Sequence, residues 1–270
     1  MQRDIKRVLT IAGSDSGGGA GIQADLKTVA ALGGYGLSVI TAITAQNTQE
    51  VRSIHEVPPE EVKNQLEAVL DDIQVDAVKT GMLANTAIIT TIADVLARYN
   101  VPNIVVDPVM ISKAGAHLLR QDAVEALKQC LIPLATVLTP NIPEAAALTG
   151  IAIERYTDIK DSLTSLHTLG CQFVLLKGGH LDTQEATDYL FDGAVEKLYV
   201  EERIVTHHTH GTGCTYAAAI ASYLAQGFAA PEAIQHAKRY LTGAIRTSNT
   251  LNVGHGTGPV HHGWNLRTAD

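Results

Sequence analysis

The run His210-Gly211-Thr212-Gly213-Cys214-Thr215, opening onto the apolar stretch 217–221, concentrates groups able to handle phosphate. Glycines on either side of Thr212 leave the backbone free to wrap an anion. The helix that should follow aims its unpaired N–H groups and positive dipole end at the same spot. A cysteine at the mouth of that helix feels the same field, which lowers a thiol pKa and favours thiolate. Gly211, Thr212 and Gly213 are thus expected to bind an anion beside Cys214 acting as a base. A glycine-rich helix start that merely packs is the alternative this segment alone leaves open.

Glu144 follows Asn141 in Asn-Ile-Pro-Glu, close to a predicted helix start. Its carboxylate could hold Mg²⁺ through water, because Mg²⁺ keeps much of its hydration shell when it bridges phosphates. It could equally close a cap with Asn141, and the two roles are compatible. Asp107, at a strand end before Pro108, could add charge to the same metal or simply form a turn. Lys177 stands between an apolar strand and Gly178-Gly179, where a ligand can approach the backbone; phosphate contact competes there with plain solvation. Lys238, on the last long helical pattern, reads by default as an exposed helical lysine.

The segment Gly17-Gly18-Gly19-Ala20-Gly21 is too glycine-dense for a simple turn. It lacks the Gly-Lys-Ser/Thr ending of a Walker A loop and the third glycine of a dinucleotide fingerprint. A flexible segment closing over a small substrate fits better. Gln46 follows Thr41 and Thr44, and its amide can read a donor and an acceptor on a heterocycle. Met82 could touch a flat ring, although core packing is the ordinary role of such a methionine.

These residues need elements to carry them. Strand patterns at 7–12, 35–45, 76–79, 103–106, 136–138 and 173–176 alternate with helical patterns at 20–32, from Pro58-Pro59-Glu60, up to Tyr99, at 212–226 and at 231–248. The alternation predicts an α/β chain with a mainly parallel sheet and helices on both faces. Residues 189–200, split by Asp192-Gly193, predict a hairpin at an antiparallel edge. Polar or glycine motifs follow the strands: Gly13-Ser14-Asp15, Thr80-Gly81-Met82, Asp107-Pro108, Asn141 with Glu144, and Lys177-Gly178-Gly179. In open α/β sheets the ligand crevice lies beyond the carboxyl ends of the strands, so these clusters should converge on one cleft. With no repeat, low-complexity tract or long linker, residues 1–270 are expected to form a single domain.

A formal net charge of −8, with no Lys/Arg stripe, argues against nucleic acid as a partner. The charged start has no apolar run behind it, so no signal peptide is expected. The longest apolar runs are strand-sized, far short of the roughly 20 residues a membrane helix needs. Cys130, Cys171 and Cys214 show no CxxC pairing, which suits a reducing cytoplasm. The eleven histidines gather at 207–210 and 255–262 without the ligand spacing of a zinc site.

One family carries these motifs in this order: IAGSDSGGGAGIQAD at 11–25, TAITAQNT at 41–48, KTGML at 79–83, VDPVM at 106–110, TPN followed by Glu144, KGGH at 177–180, HGTGCT at 210–215 and VGHGTGPV at 253–260. Over nearly the whole chain they closely resemble the hydroxymethylpyrimidine/phosphomethylpyrimidine kinases of thiamine biosynthesis. The resemblance implies a three-layer ribokinase-like fold, a homodimer, ATP and Mg²⁺. It implies phosphorylation of a small pyrimidine, first on its hydroxymethyl group and then on the resulting monophosphate. By the same resemblance Gly13, Ala20, Asp25, Gln46, Met82 and Val109 would surround the pyrimidine. Lys177 would touch the transferring phosphate, with Thr206 and Lys238 also on the nucleotide. Asp107 and Glu144 would act near Mg²⁺, and Gly211 to Cys214 would form the anion hole.

The wider ribokinase group usually has aspartate at the Cys214 position, whereas this branch has cysteine. A thiol can still accept a hydroxyl proton, and the second step needs less help because a phosphate nucleophile is already largely ionised. His208 stands where relatives often carry asparagine. Two rivals remain: a pyridoxal kinase of the same fold, and a non-catalytic sensor of pyrimidine phosphates. Gln46 within Thr-Ala-Gln-Asn favours the aminopyrimidine over the first. Intact Lys177, Glu144 and the Gly-Thr-Gly-Cys loop argue against the second.

Overall fold

Alternation of side chains along short apolar strands divides the interior into two cores. Val8, Ala77, Val105, Val137 and Leu175 point to one face, while Leu9, Val78, Val106, Leu138 and Val174 point to the other. A computed structural model describes residues 4–110, 119, 122–179 and 185–266; His180 of the KGGH motif lies outside them. Strands β1 (Arg7–Asp15), β2 (Tyr35–Gln46), β3 (Val51–Glu56), β4 (Ala77–Thr80), β5 (Ile104–Val106), β6 (Val137–Leu138), β7 (Phe173–Lys177), β8 (Glu185–Phe191) and β9 (Glu196–Glu202) form one sheet. Its order is β3-β2-β1-β4-β5-β6-β7-β8-β9. The six central strands from β2 to β7 in that order run parallel, and β3, β8 and β9 add antiparallel edges.

Helices α1 (Gly21–Ala31), α7 (Thr212–Ala225) and α8 (Ala230–Arg246) cover the first face. Helices α2 (Pro59–Leu70), α3 (Thr86–Arg98), α4 (Ala123–Ala126), α5 (Ile142–Thr149) and α6 (Tyr156–His167) cover the second. The mainly parallel, three-layer arrangement is the one expected. The run of alanines in α7 lets its backbone lie close to the sheet, with Ala217, Ala219 and Ala221 wholly buried. Among the described residues no helix is long and apolar enough to cross a membrane.

Two elements differ from expectation. The strand expected to break at Gly13 continues to Asp15, because β2 keeps pairing with it beyond a bulge between Ala12 and Ser14. β3 was not expected; it is mostly exposed and gains its order from antiparallel pairing with β2. The hairpin at the far edge is present and longer than its pattern, spanning β8 and β9.

The C-terminal segment is strapped across α8 and the His210 loop. The Tyr240 hydroxyl donates to the His262 carbonyl, the Trp264 indole N–H donates to the Tyr240 carbonyl at 3.0 Å, and His210 bridges Pro259. His262 is 5% exposed. Burial, reinforced by Lys27, His210 and His261, pushes its imidazole down to about 4 from an ordinary 6.5. The neutral ring therefore contributes stability above pH 6.5 that is lost as the pH falls toward 4. His262→Gln is expected to flatten the fall of Tm across that window relative to the wild type. Parallel Tm profiles would show that His262 does not control it.

Candidate functional site

A cavity of ≈ 610 Å³ opens at the carboxyl ends of the parallel strands, where the strand order reverses between β1 and β4. At one end β7 delivers Lys177 and the turn after β5 delivers Asp107, with Nζ 2.8 Å from Oδ1. The Thr139 hydroxyl donates to the same carboxylate oxygen at 3.0 Å. Gly213 stands directly over this pair: a Cβ there would lie 3.5 Å from both Asp107 Oδ2 and Lys177 Nζ. The first turn of α7 thus presents its N–H groups beside a half-buried lysine, a combination suited to phosphate.

Glu144 faces the same end. It forms a capping box with Asn141: the Asn141 N–H donates to Glu144 Oε2 at 2.8 Å, and the Glu144 N–H donates to Asn141 Oδ1 at 2.9 Å. Burial pushes its carboxyl up to about 7; Lys177 opposes this and Asp107 adds to it. A cation arriving between Asp107 and Glu144 would relieve that cost. Among the described residues no group of three or more His, Cys, Asp and Glu side chains forms a metal cage. Two carboxylates flanking a phosphate pocket suit Mg²⁺ that keeps its waters and takes its other ligands from phosphates.

At the other end Gly13, Ala20, Gln46, Met82 and Val109 line the wall. Met82 lies against Gly13, where an added Cβ would come within 3.1 Å of its sulfur. The glycine segment before α1 is held by Asp15, which accepts from the N–H groups of Gly17, Gly19 and Ala20 at 2.8, 3.1 and 2.9 Å. Its fourth partner is His210 Nε2 at 2.8 Å. Burial opposes charge on Asp15, yet His210 and these N–H groups hold its carboxyl below the ordinary range. Neither Asp15 nor His210 was given a role from sequence; the glycine-dense run just after Asp15 was the one available signal, since an Asx-type acceptor commonly orders such a segment.

Gly211 caps α7 at φ 80°, and a Cβ there would drive into the Gly19 carbonyl. Gly211→Ala is expected to cost at least about 2 kcal/mol in stability, from left-handed strain plus displacement of the glycine segment. Thermal unfolding together with substrate affinity checks this; a variant matching the wild type in both would contradict it.

Other expected site residues fall differently. Asp25 does not line the cavity but lies wholly buried on α1, 2.8 Å from Lys79 Nζ and 2.6 Å from the Thr10 hydroxyl. Thr206 also lies outside the lining and donates to Asn249 Oδ1 at 3.1 Å. Lys238 is buried rather than exposed: Asp188 accepts from its Nζ at 2.6 Å, and both line the cavity. Asp188 also accepts from the Gly178 N–H at 3.1 Å, tying β8 to the Lys177 turn.

Cys214 lines the cavity, but the expected lowering of its pKa is overturned. Burial pushes the thiol up to about 11; nearby Lys79 pulls down while Asp25 and Asp107 push further up. The thiol is only partly exposed, and loss of solvation penalises the thiolate more than Lys79 favours it.

A family model described as phosphomethylpyrimidine kinase matches residues 15–261. The chain is 56% identical over 94% of its length to the thiamine biosynthesis bifunctional protein ThiED of Geobacter sulfurreducens, of which it spans about half (52%). It is 50% identical to the hydroxymethylpyrimidine/phosphomethylpyrimidine kinase of Streptomyces coelicolor, covering 96% of this chain and 95% of that one. Among solved structures, the pyridoxal kinase from Staphylococcus aureus in complex with AMP-PCP and pyridoxal superposes with a TM-score of 0.88 at 37% identity, covering 96% of this chain and 94% of that one.

Proposed function

The chain belongs to the phosphomethylpyrimidine kinase family, and from that membership we propose an ATP-dependent, two-step phosphorylation of 4-amino-5-hydroxymethyl-2-methylpyrimidine. The observation that carries the reading is the Lys177–Asp107 pair beneath the first turn of α7, at one end of a cavity whose other end presents Gln46. Phosphoryl transfer needs positioning and charge neutralisation more than covalent help. Lys177 and the N–H groups of Gly211 to Cys214 supply both. Asp107 and Glu144 would hold Mg²⁺, which neutralises phosphate charge when bound.

In the first step the substrate hydroxyl oxygen attacks the γ-phosphorus, the bond to the β-phosphate oxygen breaks, and ADP leaves. The hydroxyl proton passes to Cys214 in its thiolate form. In the second step the monophosphate oxygen attacks with its charge already in place, so the base is dispensable. Lys238 and Thr206 belong to the nucleotide end in this reading, and Asp25 supports the floor through Lys79. The reading includes the homodimer implied by the resemblance and the reducing cytoplasm that the cysteine usage suits.

Pyridoxal kinase is the second reading, favoured by structural likeness alone. ADP release that requires both Mg²⁺ and the pyrimidine alcohol supports the kinase. Tight pyrimidine binding without ADP release would instead leave a sensor.

A further inference from the structure

His210 occupies a junction that the transfer chemistry leaves without a role. Its Nε2 lies 2.8 Å from Asp15 Oδ2 and 3.3 Å from the Gln46 amide nitrogen. An ionised carboxylate only accepts, so the proton of this contact sits on Nε2. A ring nitrogen that carries that proton has no lone pair for a Gln46 N–H. Two N–H groups facing each other cannot bond, so the amide is assigned turned over, with its carbonyl oxygen toward His210, an orientation set by the network of partners.

The far side of the amide gives the same answer independently. The Thr44 hydroxyl lies 2.9 Å from the Ser14 carbonyl and 3.3 Å from Gln46 Oε1; its single proton goes to the nearer acceptor, so toward a turned-over Gln46 amide it accepts. It thus takes a Gln46 N–H. Both neighbours require one orientation, and Asp15 is the group that imposes it through His210.

We infer that His210, held by Asp15, is a positioning residue that locks the Gln46 amide in one orientation and so makes the cavity discriminate an aminopyrimidine from its oxo counterpart. The two rings present opposite donor and acceptor patterns on the same edge. A locked amide matches one, whereas an amide free to turn over matches both. The inference rests on Gln46 reading the ring, as the proposed function has it. It also ties recognition to catalysis, because His210 directly precedes the anion turn Gly211 to Cys214.

The test is the ratio of kcat/KM for the 4-amino alcohol over its 4-oxo counterpart. His210→Phe is expected to lower that ratio about tenfold or more, the scale of one mismatched buried hydrogen bond, with the larger change in KM. His210→Gln, which keeps an N–H for Asp15, is expected to restore most of it, a rescue that general loss of packing would not give. An unchanged ratio in His210→Phe, or in the control Gln46→Leu, overturns the inference. In the unmodified protein, ¹⁵N NMR is expected to show His210 protonated at Nε2. A ring protonated only at Nδ1 overturns the inference without any variant. If the wild type phosphorylates neither ring, the functional reading fails, while the NMR result still decides the amide orientation.

Discussion

Lys177→Met is expected to lower the single-turnover rate of both phosphorylations by about 10²–10³-fold, the scale of losing one preorganised charge at a transferring phosphate. The ammonium sits 2.8 Å from Asp107 and within reach of the anion turn at Gly213, so the two transfers share it and should suffer alike. The substitution also strands Asp107, which is 2% exposed, and breaking such a buried pair costs about 3–5 kcal/mol. Lys177→Arg separates the two effects. It keeps the charge and most of the Tm, but its rigid fork does not reproduce a compact ammonium, so activity should still fall. A Lys177→Met protein that folds and retains either transfer at the wild-type rate would remove Lys177 from the chemistry.

Cys214→Ala, by contrast, should divide the two steps. The first is expected to fall by about 10²–10³-fold, within the range of a lost general base. The second should change by less than about tenfold, because its nucleophile is already ionised at neutral pH. With burial pushing the thiol up to about 11, thiolate is scarce at pH 7 and grows as the pH rises toward that value. The first-step rate of the wild type should therefore climb with pH through the alkaline range, while the second stays nearly flat. Cys214→Ala should flatten the first. Equal losses in both single-turnover rates would count against the general-base role, as would a first-step profile indifferent to both pH and the substitution.

The parts of this site readable from sequence are those fixed by neighbours along the chain. The Asn141–Glu144 cap follows from an i, i+3 spacing, and the anion turn from glycines immediately before a helix. Strand ends carrying Asp107 and Lys177 follow from apolar runs that stop at a polar residue. The rest depends on partners far apart in sequence. Asp15 meets His210 across 195 positions, and Lys79 meets Asp25 across 54. No local pattern signals either pairing. Lys238 fits an exposed helical lysine until β8 brings Asp188 beneath it. The thiol prediction failed for a related reason. A helix N-terminus lowers a thiol pKa, but partial burial outweighs it here, and the Asp25 and Asp107 carboxylates that push the same way come from distant parts of the chain.

The central claim is that one cavity phosphorylates the pyrimidine twice. Product mass followed over time, with ATP, Mg²⁺ and either the hydroxymethylpyrimidine or pyridoxal, tests it most directly. The account predicts that the pyrimidine monophosphate appears first and gives way to the diphosphate. Pyridoxal phosphate as the sole product, or no product from either ring, would contradict it.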